Sequence, residues 1–291
     1  MTSPGTVSTL LIPAGGLGTR MLPATKVLPK ELLPIVDRPI VQYGVEEAVR
    51  SGIRQVVLIT NPGNTLTASH FTTNQPLESA LAQKNQSELL ETVRNLTTMA
   101  SVTSLPQVKP RGLGHAVLCG KPAIGEKPFA VLLPDDVIDA EPAALQQMLD
   151  VFSEVDGPVL LVERVPRNAV SRYGIIAGEP FRDGVLRVTD LVEKPDPNEA
   201  PSEFAIIGRY ILTPDIFESL EQTGVGTGGE IQLTDALRNL LAVRPIHACV
   251  LQGTRLDAGT KIGYVNAVLH FALKHPELGP ELKETLKQLF R

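Results

Sequence analysis

The segment of this chain that is best suited to bind phosphate contains three glycines and three basic residues. They are, in order, Gly15, Gly16, Gly18, Arg20, Lys26 and Lys30. Glycine lets the main chain come close to a ligand, and successive N–H groups in such a loop form a concave anion site. A nucleoside triphosphate carries about four negative charges, so its binding would require several cations near the loop. The segment therefore predicts a phosphate site, although each cation could instead be a solvated surface charge.

Two common phosphate-binding patterns do not fit this loop. A P-loop needs Gly-Lys-Ser/Thr, whereas here Gly18 is followed by Thr19 and Arg20. The dinucleotide-binding pattern needs a glycine three residues after Gly18, and that residue is Met21. Taken alone, the glycine-rich segment could equally be a structural turn.

Other residues with the chemistry of a site stand next to predicted strands or helices. Asp135 follows the apolar residues 129–133, where open α/β sheets carry their ligand-binding residues. Glu193 and Lys194 follow another predicted strand, and by residue type alone they form a surface ion pair. Asp257 precedes a predicted helix and could be its N-cap.

The elements that must position these residues alternate between strands and helices. Residues 7–12 and Gln55–Thr60 are apolar and predict strands, and residues 40–51 between them have helical periodicity. This order predicts a βαβ unit and hence a parallel sheet covered by helices. From residue 165 to 212 the predicted strands are joined by Gly, Asp and Pro turns, which indicates an antiparallel or mixed part of the sheet.

The remaining elements follow from the same patterns. We predict strands at residues 129–133, 158–164, 175–177, 185–192, 204–212 and 246–251. We predict helices at residues 112–121, 142–155, 230–243, 259–274 and 281–289. Residues 65–100 form a polar helical insertion, whose inward positions are predicted to be Leu77, Leu81, Leu89, Leu90, Val93 and Leu96.

Composition limits the class of protein and its partners. Of 291 residues, 43% are hydrophobic and 20% charged, which is ordinary for a globular protein with a core. A net charge of −5 provides no basic field, so we expect no nucleic-acid partner. We find neither a signal-peptide pattern nor an apolar run of about 20 residues, and we expect a cytoplasmic protein without a membrane partner. Cys119 and Cys249 lack disulfide or zinc spacing and fit buried small hydrophobes.

Several ordered motifs run through nearly the whole chain. They are AGGLGTR (14–20), PKE (29–31), LP (33–34), GLGHA (112–116), LPD (133–135), VEKP (192–195), IGRY (207–210) and GEIQLTD (229–235). The first three are similar to the signature of the sugar-nucleotide pyrophosphorylases, and residues 12–39 resemble the bacterial UTP–glucose-1-phosphate uridylyltransferases in particular. One departure is Gly15, where uridylyltransferases usually carry Ala, while Ala-Gly-Gly is commoner in the related thymidylyltransferases.

The resemblance implies a fold and a domain organisation. The fold would be α/β and Rossmann-like, with a mixed, mostly parallel central sheet flanked by helices and a small β-rich sugar-binding subdomain. Residues 1–291 would form a single nucleotidyltransferase domain. Within it, residues 7–164 would be the nucleotide-binding half, 165–258 the sugar-binding part, and 259–291 C-terminal helices with possible oligomer contacts. The family habit further implies a homodimer or homotetramer.

The resemblance also implies roles for individual residues. The nucleotide-binding residues would be Ala14, Gly15, Gly16, Gly18, Gln107 and Gly112. Gln107 would read uracil, although by residue type it fits an exposed loop glutamine. The catalytic cations would be Arg20, Lys30 and Lys194. The sugar would contact Gly174, Glu193 and Gly208. Asp135 and Asp257 would bind Mg²⁺, which typically takes one or two carboxylates plus phosphate oxygens.

The implied reaction joins UTP and glucose 1-phosphate into UDP-glucose and pyrophosphate, by in-line attack of the sugar phosphate on the α-phosphate. Two alternatives are the same chemistry with dTTP, and a non-catalytic nucleotide-sugar sensor. A phosphate monoester is already nucleophilic at neutral pH, so we assign His115 no catalytic role. We expect Asp136 to point away from the metal. Glu230 would either lie near the sugar or cap its helix. Lys26 has no assigned role.

Overall fold

Residues 5–155 and 157–289, which the computed structural model describes, alternate between strands and helices. The strands are β1 Thr9–Ala14, β2 Pro34–Ile35, β3 Arg38–Pro39, β4 Gln55–Thr60, β5 Ser101–Pro106, β6 Phe129–Leu132, β7 Asp136–Asp139, β8 Val159–Arg164, β9 Gly174–Arg182, β10 Val185–Glu193, β11 Phe204–Leu212, β12 His247–Val250 and β13 Thr254–Asp257. The helices are α1 Ile40–Arg50, α2 Leu66–Ser69, α3 Gln75–Gln83, α4 Ser87–Thr98, α5 Leu113–Cys119, α6 Lys121–Ile124, α7 Ala144–Glu154, α8 Ile216–Gln222, α9 Leu233–Leu241, α10 Lys261–Lys274 and α11 Leu278–Leu289.

Nine of these strands form one sheet in the order β5-β4-β1-β6-β11-β8-β12-β10-β9. The neighbours β5, β4, β1 and β6 are parallel, as are β8 and β12. Only β10 and β11 run in the opposite direction, since each is antiparallel to its neighbours. The prediction of a mixed, mostly parallel sheet is therefore confirmed.

The central strand β11 joins the earlier and the later parts of the chain. It lies between β6 and β8, while β9 and β10 extend the same sheet at one edge. The division of the chain near residue 164 into a nucleotide half and a sugar part stays a prediction. What the structure shows is that both parts share one sheet, so residues from both can meet at its edge.

Alternate residues of β1 enter separate hydrophobic cores on the two faces of the sheet. Leu10 and Ile12 pack with Val41 and Val45 of α1, whereas Leu11 packs with the helices α5, α8 and α9. All three leucine and isoleucine side chains of β1 are completely buried. Burial on both faces explains why this strand is continuously apolar instead of alternating.

Several predicted boundaries shift in the structure. The first strand begins at Thr9 and continues to Ala14, and the helix predicted from residue 230 begins at Leu233. The strands β5, β7 and β13 were not predicted, because β5 is mostly exposed and the other two have only four residues each. Cys119 and Cys249 are free, half-buried and buried respectively. Among the described residues, no helix is long and apolar enough to cross a membrane.

The insertion at residues 65–100 is helical, as predicted, but two of its inward positions are wrong. Leu77 and Leu89 are 42% and 53% exposed. The helices α3 and α4 that carry them pack mainly on each other at the surface. A pair of helices outside the main core buries only a narrow stripe, and Leu81, at 9% exposed, is the most buried of the predicted set.

Candidate active site

The glycine-rich loop that follows β1 lies against the side chain of Lys30. Gly18 has a φ of +63°, and a Cβ atom placed on it would lie 3.2 Å from the Cβ atoms of Lys30 and Thr25. A Cβ atom on Gly16 would lie 3.7 Å from Cε of Lys30. Glycine at position 18 is therefore required by the left-handed backbone and by the close approach of Lys30.

Lys30 and Asp135, predicted as a catalytic cation and a metal ligand, form an ion pair. Lys30 Nζ lies 2.6 Å from Oδ2 of Asp135, which stands between β6 and β7. Burial disfavours both charges, but their mutual attraction outweighs it, so the pKa of Lys30 is raised and the pKa of Asp135 is lowered. The cation beside the glycine loop thus meets an ionised carboxylate from the sheet.

Asp135 and Asp257 face a common space beside Gly259. A Cβ atom placed on Gly259 would lie 2.9 Å from Oδ2 of Asp135 and 3.1 Å from Oδ1 of Asp257. The Gly259 N–H donates to that Oδ1 at 3.0 Å, and Arg172 Nη2 lies 2.9 Å from Oδ2 of Asp257. The alternative that Asp257 caps α10 is wrong, because Thr260 is the N-cap and its side chain accepts a main-chain hydrogen bond from the first turn.

The chemistry of these two carboxylates fits a hard divalent cation. Both offer oxygen ligands, and Mg²⁺ is usually held by one or two carboxylates together with water and phosphate oxygens. Within residues 5–155 and 157–289, no group of three or more His, Cys, Asp or Glu side chains could hold a metal ion. A cation at Asp135 and Asp257 would therefore take its other ligands from water or from bound phosphate.

Asp136 lies next to Asp135 but is held by a different cation. Its Oδ1 accepts a hydrogen bond of 2.6 Å from Nε of Arg255, which also contacts Glu163 at 2.7 Å. Burial raises the pKa of Asp136 to about 6 against the opposing charge of Arg255, and Asp135 adds to the rise. Gly208 has a φ of +64°, and a Cβ atom on it would lie 2.5 Å from Oδ2 of Asp136. The packing of Asp136 therefore accounts for glycine at position 208.

Sequence reasoning missed a buried guanidinium behind the two aspartates. Arg209 in β11 donates to the carbonyl oxygens of Leu133 and Asp136, at 3.3 and 2.8 Å, on either side of Asp135. Glu47 in α1 accepts from its Nε and Nη2 at 3.1 and 2.8 Å. The side chains of Arg209 and Glu47 are only 1% and 3% exposed. The pair thus fixes the turn that presents Asp135 to the cavity.

Glu193 and Lys194 lie together at the end of β10. Lys194 has a φ of +48°, and its Nζ lies 2.9 Å from Oε1 of Glu193. The Thr234 hydroxyl donates to Oε2 of Glu193 at 2.7 Å. A Cβ atom on Gly174 would lie 2.8 Å from Oγ1 of Thr234 and 3.2 Å from Oε2 of Glu193. Since successive side chains of a regular strand point to opposite faces, the left-handed residue allows both groups to reach one cavity.

Gln107 lies beside the glycine loop and is 5% exposed, so the alternative of an exposed loop glutamine is wrong. A Cβ atom placed on Gly15 would lie 3.1 Å from Oε1 of Gln107. The Nε2 atom donates to the Gly112 carbonyl at 3.2 Å and lies 3.0 Å from Nδ1 of His115. The structure therefore brings together the loop glycine, the predicted base reader and the glycine before α5.

Glu230 precedes α9 and does not cap it, because the N-cap of that helix is Gln232. A Cβ atom placed on Gly112 would lie 2.6 Å from the Cβ atom of Glu230. The N–H of Ile231 donates to the Arg111 carbonyl at 2.8 Å, which holds the two loops together. The capping alternative for Glu230 is thus wrong, and Glu230 contacts Gly112 and lines the cavity described below.

Seven of the fourteen predicted site residues line one cavity of about 720 Å³. Those residues are Arg20, Asp135, Gly174, Glu193, Lys194, Gly208 and Asp257. A neighbouring cavity of about 230 Å³ is lined by Gly18 and Lys30, and it shares Arg20 and Asp135 with the larger one. Lys26 is exposed and lines neither of these two cavities.

The larger cavity also contains residues that sequence reasoning missed. They are Arg172, Thr234 and Arg255. Arg255 stands two residues before Asp257 in β13 and shares a face with it, but a strand of four residues is too short for this relation to be read from the sequence. Arg172 and Thr234 become recognisable through their contacts with Asp257 and Glu193.

Comparison with known proteins places this geometry among related chains. Residues 10–272 match the family model described as nucleotidyl transferase. The chain is 46% identical over 281 residues to the UTP–glucose-1-phosphate uridylyltransferase YngB of Bacillus subtilis, covering 97% of this chain and 95% of that one. It is 43% identical over 279 residues to a UTP–glucose-1-phosphate uridylyltransferase of Staphylococcus epidermidis, covering 96% and 97%. It is also similar to a UTP-bound UGPase from Acinetobacter baumannii, with a TM-score of 0.90 and 39% identity over 98% of this chain and 100% of that chain.

Proposed function

The chain belongs to the nucleotidyl transferase family, and we propose that it joins UTP and glucose 1-phosphate to give UDP-glucose and pyrophosphate. The observation that carries this function is the position of Asp135. It touches Lys30 beside the glycine loop, and it lines the cavity that holds Glu193 and Lys194. A nucleoside triphosphate and a sugar phosphate can therefore meet at one carboxylate.

The reaction needs positioning and charge neutralisation from the protein. A phosphate oxygen of the sugar attacks the α-phosphorus of UTP in line, and pyrophosphate leaves on the opposite side. In this proposal Arg20 and Lys30 neutralise the triphosphate and Lys194 holds the sugar phosphate, which is supported by their lining two neighbouring cavities. Glu193 accepts hydrogen bonds from sugar hydroxyls in this proposal, and the main chain at Gly174 and Gly208 contacts the sugar.

The nucleotide lies along the backbone from Ala14 to Gly18 in this proposal, with its base between Gly15, Gln107 and Gly112. Asp135 and Asp257 would hold Mg²⁺, because they are the two carboxylates that share a space at the meeting point. When bound, Mg²⁺ supplies positive charge to the phosphates as a Lewis acid. Orientation of the two substrates is the task of the protein side chains.

Assembly and location belong to the same proposal. We expect a homodimer or homotetramer that acts in the cytoplasm. The exposed apolar residues Val265 and Leu269 lie on one side of α10, and they support an interface there. Light scattering coupled to size-exclusion chromatography measures the assembly directly, and a monomer at micromolar concentration would contradict it.

The function is tested by pyrophosphate release across a grid of nucleoside triphosphates and sugar 1-phosphates, with and without Mg²⁺. We expect the highest kcat/KM for UTP with glucose 1-phosphate, dependence on the metal, and UDP-glucose as the product identified by mass spectrometry. A kcat/KM that is higher with dTTP than with UTP would identify dTTP as the substrate. No release with any pair would refute the enzymatic function and favour a sensor.

A further inference from the structure

The amide of Gln107 uses both of its N–H bonds within the protein. Nε2 donates one hydrogen to the Gly112 carbonyl at 3.2 Å. Its other contact is with Nδ1 of His115 at 3.0 Å. An amide nitrogen has two hydrogens and no acceptor capacity, so both donors are engaged and only Oε1 is left for a ligand.

The contact with Gln107 also determines the tautomer of His115. Because Nε2 of the amide can only donate, Nδ1 of His115 must accept, and its proton must be on Nε2 of the ring. Burial and then the charge of Arg111 lower the pKa of His115, which agrees with a neutral ring. The residue in the first turn of α5 is therefore a hydrogen-bond acceptor aimed at the base reader.

The free oxygen of the amide faces the glycine loop. Oε1 lies 3.1 Å from the position that a Cβ atom of Gly15 would take. Rotating the amide by half a turn would place Oε1 opposite the Gly112 carbonyl oxygen, and that hydrogen bond would be lost, while His115 could keep its contact only by moving its ring proton to Nδ1. The observed orientation is therefore the one in which the Gly112 carbonyl and Nδ1 of His115 both accept from the amide.

We propose that His115 is a positioning residue for base selection: it holds the Gln107 amide so that an oxygen acceptor faces the nucleobase. Uracil carries a hydrogen on N3 and can donate to this acceptor, whereas N3 of cytosine is itself an acceptor. His115 thus favours UTP over CTP without touching either nucleotide. The inference rests on the proposed function, because it assumes that a pyrimidine lies beside Gly15 and Gln107.

Four variants separate this role from simple packing. His115→Phe keeps a ring but removes the acceptor, His115→Gln restores an acceptor oxygen, and His115→Lys presents a donor to the amide. The control is His70→Phe, because it removes a His–Gln hydrogen bond away from the cavity, in which Nε2 of His70 donates to Oε1 of Gln42 at 2.9 Å. Thermal unfolding confirms that each variant is folded.

The primary measurement is the dissociation constant for CTP divided by that for UTP, obtained by calorimetry for the whole protein, and the second is kcat/KM for UTP divided by kcat/KM for CTP. We expect His115→Phe to reduce both ratios by roughly 10-fold to 100-fold, mainly through a higher KM for UTP. His115→Gln should recover most of the loss, His115→Lys should bring CTP closest to UTP, and His70→Phe should match the wild type.

An unchanged CTP/UTP ratio in a folded His115→Phe variant overturns the inference even if the enzyme uses UTP. An equal fall of the ratio in His70→Phe overturns it as well. If the wild type binds neither UTP nor CTP, the proposed function and the inference fail together. If it binds UTP but releases no pyrophosphate, the binding ratio still decides the role of His115.

Discussion

Replacing Lys194 by glycine separates the conformational cost of this residue from its chemical role. Its φ of +48° lies in the left-handed region, which costs an ordinary L-residue about 1–2 kcal/mol. Glycine avoids this cost, but it also has more conformational freedom in the unfolded chain, which takes away about 0.5–1 kcal/mol of the stability gained. The ion pair with Glu193 contributes little, because the lysine side chain is 44% exposed. We therefore expect Lys194→Gly to be as stable as the wild type or up to about 1 kcal/mol more stable.

Activity should respond in the opposite direction. If Lys194 holds the sugar phosphate in the transition state, its removal deletes one preorganised charge contact. Losses of this kind lower turnover by about 100-fold to 1,000-fold. The variant should thus combine an unchanged or higher melting temperature, by about 2 °C at most, with a large fall in kcat.

The assay pairs scanning fluorimetry with steady-state pyrophosphate release at saturating UTP and glucose 1-phosphate. Asn85→Gly is the matched control, because Asn85 has a φ of +55° and is exposed in the turn between α3 and α4. It tests the same backbone change away from the cavity, so its turnover should equal that of the wild type.

Two results would refute the reasoning about Lys194. A kcat within about tenfold of the wild type would remove the lysine from transition-state stabilisation. A melting temperature lower by several degrees would show that the side chain contributes more than its left-handed backbone costs. A fall in the stability of Asn85→Gly would contradict the estimated cost of a left-handed backbone, but it would not bear on the catalytic role of Lys194.

Three further changes test the surroundings of the carboxylates. Gly259→Ala places a methyl group about 3 Å from both Asp135 and Asp257. It should weaken Mn²⁺ binding by at least about tenfold in electron paramagnetic resonance titrations. Unchanged binding would contradict a metal site between these two carboxylates. Lys30→Met removes the cation that pairs with Asp135 and competes with a metal ion for it, so the nucleotide-free protein should bind Mn²⁺ more tightly while turnover falls. Weaker Mn²⁺ binding would contradict a competition between Lys30 and the metal for Asp135. Arg209→Met leaves its carboxylate partner in α1 buried and unpaired, and urea denaturation should show a loss of about 3–5 kcal/mol, whereas a loss below about 1 kcal/mol would contradict it.

Local patterns were enough to predict much of the framework. The apolar strand Gln55–Thr60 was predicted with its observed bounds, because strands buried on both faces are continuously hydrophobic. Helix α1 was predicted to within one residue, since its periodicity and the preceding Pro39 mark its start. The short strands β7 and β13 carry Asp136 and Asp257 but have too few residues for a period to be read.

Contacts between distant parts of the chain could not be read from the sequence. Glu47 and Arg209 are separated by 162 residues, and each looks like an ordinary charged residue in its element. Their pairing depends on β11 lying beside β6, an order that no local pattern specifies. Likewise, Asp257 was open to an N-cap role until the position of Thr260 at the start of α10 excluded it.

Four ion pairs within the protein hold charges of the site, which changes how substrate binding must be understood. The pairs are Lys30–Asp135, Arg172–Asp257, Lys194–Glu193 and Arg255–Asp136. Lys30 can turn toward phosphate more readily when Asp135 gains another positive partner, because a partly buried carboxylate left without a cation is costly. Affinities for a divalent cation and for the triphosphate should therefore increase each other by the same factor, as linkage requires. A site rich in carboxylates can thus accept a polyanion because its cations are released as the carboxylates are neutralised.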